Sequence, residues 1–430
     1  MRRRVHGGAP GARVMGGLIR EARFLLKDRG ALFWLALAFV LSVIAVSFGI
    51  TEVREQRATI ATLIEEDAAD RANALQGHED WGSAAYYAFH FTYAPPSDFA
   101  FAAMGQRDSS PWKHRVRMLA LEGQIHEADT RNADFGLVGR FDFAFLAASV
   151  APLLMILLLY DLRASERTAR RHDLLVATAG SSSKLWFTRA FIRVAALGLL
   201  LLVPLWVAAL IEGTTLATSA TACGIVIGAL AIWWGIAEVV SRINASSSVL
   251  LTSLIGVWLA LAIVMPAVSK AAIEASYPVP DGGEILLVQR EAVNDAWDLP
   301  KEDTMKPFVA EHPELKDYAA IDGPWAWKWY YAFQQVGDQK VRPLARQYRE
   351  ARLERDRQAG LIALASPTSF VERAFESLAQ TDTSSMIAYE DEVRRFHAEL
   401  RAFHYPLMFP EKPYDEDLLA DLPRYTPPSG

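Results

Sequence analysis

The 430 residues contain a single cysteine, Cys223, so no intramolecular disulfide is possible and the fold must hold by packing. Basic stripes are missing as well: the formal net charge is −6, and away from the apolar runs Lys and Arg are interspersed with Asp and Glu, which argues against a nucleic-acid partner. No catalytic constellation stands out, and no enzyme activity is expected of the chain. GSSSK at 180–184 lacks the second Gly of a phosphate loop, since Ser183 precedes Lys184 and Leu185 follows it where a hydroxyl is required, so no nucleotide cofactor is expected. His397 and His404 are seven apart and can share a helix face. Without carboxylate or thiolate partners at ligand spacing they read as solvated or hydrogen-bonded side chains, and no metal is expected.

The most telling absence is of charge. Although 52% of the residues are hydrophobic, they are not spread evenly: the runs 31–50, 143–160, 194–211, 213–237 and 243–269 contain no Asp, Glu, Lys or Arg. A helix needs about 20 apolar residues to cross a hydrocarbon core. Five such runs point to an α-helical polytopic membrane protein rather than a soluble enzyme with buried helices. The first run ends in FGITEVREQ and is too long for the apolar core of a signal peptide, usually ~7–15 residues, so it reads as an uncleaved first span.

Orientation follows from Lys and Arg, which stay on the cytoplasmic side. They crowd residues 1–30 and 163–193, and Arg242 lies in the short link 241–248. The expected order is a cytoplasmic N-terminus with an interfacial helix (1–30), spans at 31–50, 143–162, 190–211, 216–240 and 247–268, a cytoplasmic segment at 163–189, and extracytoplasmic parts at 51–142 and 269–430. The interfacial helix would place Val14, Met15, Leu18, Ala22, Leu25 and Leu26 on one face, with Arg20, Glu21, Lys27 and Asp28 mostly elsewhere.

After the first span, helix should continue outward with Val53, Ile60, Ile64 and Leu75 as packing positions, followed by irregular structure around WGSAAYYAFHFTYAPPSDFAF. The charge-alternating stretches 338–362 and 384–403 predict exposed helices, and 358–371 is too short to span. Pro152, Pro204 and Pro266 should kink their spans. Ala220, Gly224 and Gly228 form a small-residue stripe for close helix packing. Glu238 should pair with Arg242 one turn later.

The stretch RASERTARRHDLLVATAGSSSKLW, 163–186, raises a functional question. Arg163, Glu166, Arg167, Arg170, Arg171 and Asp173 lead into Leu174, Leu175 and Val176. Charges around a small apolar patch suit docking into a groove of a soluble partner. A solvated loop obeying the positive-inside rule is the alternative.

At these residues the chain resembles the ABC-2-type permeases (type V exporter-like), in the branch described as permease components involved in multi-copper enzyme maturation. The likeness runs through FDFAFLAASVAPLLMILLLYDLRASERTARRHDLLVATAGSSSKLWFTRAF (141–191) and returns in LASPTSFVERAFESLAQTDTSSMIAYEDEVRRFHAELRAFHYPLMF (364–409). It implies two permease halves, identical or paralogous, set in the lipid of a bacterial inner membrane and served by ABC ATP-binding subunits that hold ATP and Mg. Residues 163–176 would match the coupling helix. The family's Glu-x-Gly-Thr-Leu pattern is replaced here by ERTARRHDLL. Relatives usually carry a sixth span after the outer domain, whereas here the sequence stops at LPRYTPPSG. The expected function is a non-catalytic permease subunit coupling a partner's ATP hydrolysis to export or to an extracytoplasmic conformational change. A membrane-anchored scaffold for assembling a secreted enzyme or receptor is the rival expectation, favoured by the large outer portion.

Overall fold

A computed structural model describes residues 10–127, 141–179 and 182–427. The side chains of Val14 and Met15 lie outside the described residues, as does Gly180 of the GSSSK stretch. Among the described residues five helices are long and apolar enough to cross a membrane: Arg29–Ala74, Phe143–Thr168, Ser182–Glu212, Leu216–Ser241 and Ser247–Ser276. They coincide with the five uncharged runs, and each continues beyond its run because polar flanks sustain helix once it has nucleated.

The first span opens where the Asp28 side chain accepts the Ala31 amide at 3.1 Å, an N-cap. Its 46 residues amount to ~69 Å of helix. That is more than twice a hydrocarbon core, so its second half rises out of the bundle as a mast. Val53, Ile60 and Leu75 are buried on the mast as expected, whereas Ile64 is exposed. Gly49 lets the turn Ala100–Ala102 lie against this helix, since a Cβ there would stand 1.8 Å from the Phe101 carbonyl oxygen.

The second span is central, 72% of its apolar window being buried, and the fifth is peripheral at 11%. Both contain the same irregularity. A π turn at Leu146–Val150 precedes Pro152, and another at Ala260–Val264 precedes Pro266. Proline lacks the amide that would close the next ring, so the helix widens rather than breaks. Within the second span's π turn, Ser149 O accepts Trp258 Nε1 at 3.0 Å. In the fifth span the carbonyl this frees is served from another element: Ser366 Oγ donates to Leu261 O at 2.9 Å. In the π register, residue 266 would have bonded Leu261, because Met265 bonds Ala260 five residues back. Pro204 is buried inside an uninterrupted third span, next to a turn whose Leu201 carbonyl accepts Ser42 Oγ at 3.0 Å.

At one end of this bundle lies the N-terminal helix, Pro10–Leu25, with the segment between the second and third spans; we call it the basic end. At the other end is a mainly helical domain. Its core gathers Trp81, Phe308, Phe333, Phe396 and Phe409. Contributors include Trp81–Tyr87, the antiparallel pair β1 (His90–Tyr93) and β2 (Lys113–Val116), Lys301–Glu311, Trp327–Ala363 and Thr383–Met408. The helix Trp81–Tyr87 and one regular strand, β1, therefore sit where irregular structure was expected.

Of the two charge-rich stretches, 338–362 is largely exposed or partly exposed, as expected, with only Asp338, Val341 and Ala345 buried, whereas 384–403 runs through the middle of the domain. Met386, Tyr389, Val393, Phe396 and Leu400 make one buried stripe of Thr383–Met408. Two of its arginines are neutralised by acids from other elements: Arg394 grips Glu122 at 2.8 and 2.9 Å, and Arg401 meets Asp338 at 2.6 Å. His397 is hydrogen-bonded, as expected, but His404 is neither solvated nor hydrogen-bonded. His397 Nε2 meets the Arg117 carbonyl at 3.0 Å, while His404 is wholly buried with neither ring nitrogen partnered. Burial pushes His404 down to about 3, helped by the charge of Arg71, so it is neutral near pH 7.

A short helix, Pro367–Ala379, joins domain to bundle. Val371, Phe375 and Ala379 enter the bundle's own core, where Phe375 packs against Phe99 and Phe143. We call it the clamp helix.

Candidate functional site

The sequence directs attention to 163–176, and the structure sorts its residues into two groups. The first faces the bundle. Arg163 donates to Glu238 of the fourth span at 2.5 Å. Glu166 takes Arg189 of the third span at 3.2 Å and Arg171 at 3.0 Å. Arg189 also reaches Glu21 of the N-terminal helix at 3.0 Å. Arg167 donates to the Ile243 carbonyl between the fourth and fifth spans at 2.9 Å. His172 stacks on Trp186 at 5.4 Å, and Ser247 Oγ donates to Asp161. The segment is thus bound to the N-terminal helix, the third and fourth spans and the start of the fifth.

The second group faces outward. Arg170, Arg171 and Asp173 are exposed, Leu174 is 67% exposed, and Leu175 is half-buried. Arg170 adopts φ 55°, the left-handed conformation that ends the helical turn Ala164–Thr168. There the Arg170 amide bonds Arg167 O and the Arg171 amide bonds Glu166 O, both at 2.9 Å, turning the chain sharply so that His172–Ala179 starts a new helix.

Sequence reasoning anticipated the Glu238–Arg242 pair, found at 3.4 Å. It missed the inward partners. Glu21 was placed among the polar residues of the N-terminal helix, yet it is 3% exposed and faces Arg189. Asp28 meets Arg193 at 3.1 Å. The small-residue stripe brings no helix of this chain close: Ala220, Gly224 and Gly228 are exposed, and nothing stands within 4 Å of a Cβ at either glycine. The inward face of the fourth span is instead Ala222, Val226, Leu230, Trp233 and Ala237, where side chains rather than backbone make the contact.

A second feature lies at the domain end. A groove of about 560 Å³ runs between the fifth span, the helix Trp327–Ala363 and the clamp helix. Glu372 and Glu376, one turn apart on the clamp helix, line it. Burial pushes both up to about 7; Asp142 adds to the effect at Glu372, and Glu372 itself is the next cause at Glu376. Among the described residues no group of His, Cys, Asp and Glu is arranged to hold a metal ion.

Residues 283–427 match a family model described as a domain of unknown function (DUF3526). The matched stretch begins past the fifth span and contains the domain's long helices and the clamp helix, but no part of the basic end. No curated protein and no solved structure matches the chain.

Proposed function

We propose that the chain is the membrane-spanning permease subunit of an ABC transporter of the ABC-2 type, which receives the work of ATP hydrolysis from a partner subunit at residues 163–176. The observation that carries this reading is the division of labour in that segment. A part that transmits force must be stiffly joined to what it moves and must also offer a surface to what drives it. Arg163, Glu166 and Arg167 supply the joint, while Arg170, Arg171, Asp173 and Leu174 supply the surface. ATP and Mg belong to the partner. A second permease chain, identical or paralogous, completes the assembly, and the domain lies outside the cytoplasmic membrane. The partner must bind two conformations of the segment unequally, since a ligand indifferent to them shifts nothing.

The test separates joint from surface. Purification of the full chain from its native membrane should bring down an ATP-binding subunit. The double variant Arg170→Glu with Asp173→Lys should lose that subunit while the chain stays monodisperse in detergent, because neither residue ties the segment to the bundle. Retention of the subunit by the double variant overturns the docking assignment. A wild-type chain that recruits none supports the membrane-anchored scaffold instead, a reading favoured by the domain's own aromatic core.

A further inference from the structure

Besides the surface offered to a partner, the basic end contains a groove of about 550 Å³ between the third and fourth spans. One wall is the first turns of the third span, with Ser182, Ser183 and Phe187; the other is the last turns of the fourth, with Trp234, Gly235 and Arg242. Arg163 and Glu238 close its head. The volume is in the range of small-ligand sites, roughly 300–1,000 Å³.

The groove changes character along its length. At the head are two guanidinium groups and one carboxylate, leaving one net positive charge. Glu238 is held by Arg163 at 2.5 Å, whereas Arg242 reaches it only at 3.4 Å and its side chain is 70% exposed, so Arg242 remains able to take an anion. The 31-residue third span points its N-terminus at the same place, and its dipole favours negative charge there. Further along, the surface is apolar and aromatic. Phe187 and Trp234 lie 5.0 Å apart, and nothing stands within 4 Å of a Cβ at Gly235. The fourth span is uncharged through this level, and the third becomes so after Arg189 and Arg193, which are turned to Glu21 and Asp28, so the apolar portion leads toward the bilayer's acyl chains.

We propose that this groove binds an anionic phospholipid. Its phosphate sits between Arg242 and the first turn of the third span, and its acyl chains run over Phe187, Trp234 and the opening at Gly235. A free phosphate shares the headgroup chemistry, but it would leave the aromatic wall unused. A zwitterionic lipid brings a cation to a head that is already positive. The inference does not depend on an ATPase partner.

The experiment uses the full chain purified in detergent, with lipid retention read by native mass spectrometry after incubation with phosphatidylglycerol or phosphatidylcholine. The wild type should retain phosphatidylglycerol at least tenfold better than phosphatidylcholine. Arg242→Gln and Ser183→Glu should each lower phosphatidylglycerol retention about tenfold without changing phosphatidylcholine. Ser183→Glu keeps the fold in hand, because an acid in the first turn favours the helix while repelling a phosphate. Gly235→Leu, which fills the apolar portion, should weaken phosphatidylglycerol but leave glycerol phosphate unaffected. Equal retention of the two lipids, variants within twofold of wild type, or displacement of phosphatidylglycerol by equimolar glycerol phosphate would each overturn the assignment.

Discussion

Glu372 and Glu376 show how position along the chain can set a side chain's chemistry. Their helix must bury Val371, Phe375 and Ala379 in the bundle, and that placement draws the intervening carboxyls out of water. Arg373 opposes the shift at Glu376, and Asp142 and Asp382 reinforce it. Lys270, Arg352, Arg355, Asp356 and Glu274 face the same groove, but Arg352 is committed to Glu390, Arg373 to Asp356 and Arg355 to backbone carbonyls. A carboxyl whose pKa is raised by folding holds its proton longer in the folded state, so its contribution is complete below about 4.5 and is lost as pH rises to about 7. Thermal stability in detergent should therefore fall between pH 5 and pH 8 by an amount on the order of 1–3 kcal/mol. The Glu372→Gln, Glu376→Gln double variant should remove that part of the slope. The buried histidines act in the opposite sense: His90 and His404, both pushed down to about 3 by burial, cost stability as pH falls from about 6.5. A wild-type and variant pair with identical pH profiles would show that the two carboxyls titrate normally.

Among the elements, the spans are the most legible in sequence, because an uncharged run of about 20 residues has few other uses. The prolines are legible too, but their consequence is not. Pro266 could have broken, bent or widened its helix; which happens depends on a donor such as Ser366, 105 residues away from the carbonyl it serves. The same limit applies at the basic end. Glu238 with Arg242 is visible as a four-residue spacing, whereas the tighter Arg163 contact joins positions 75 residues apart. The charge-rich helix Thr383–Met408 misleads for a related reason: alternating charge marks a solvated face only when no opposite charge arrives from another element. Ser366 offers the sharpest test at this scale. It is 1% exposed, serves the freed Leu261 carbonyl, and caps the clamp helix by accepting the Ser369 amide at 3.3 Å. Ser366→Ala should destabilise the protein by about 1–3 kcal/mol, through one orphaned carbonyl and one lost cap. Ser369→Ala, which retains both bonds, should melt like wild type.

Taken whole, the molecule is a bundle with a mast. The first span extends from the basic end into the domain, and the clamp helix returns from the domain into the bundle's core. Each end is therefore coupled to the other by continuous helix or by packed aromatic rings, which fits a device in which a push at 163–176 is felt at the domain. That claim depends on what occupies the outward surface near Leu174. The most direct measurement places a photo-reactive side chain at position 174 of the full chain and irradiates native membranes. The account predicts a principal adduct with an ATP-binding subunit, formed from the cytoplasmic side and lost in the Arg170→Glu, Asp173→Lys variant. An adduct with no such protein, or modification of position 174 by a reagent confined to the outside of intact cells, would contradict it.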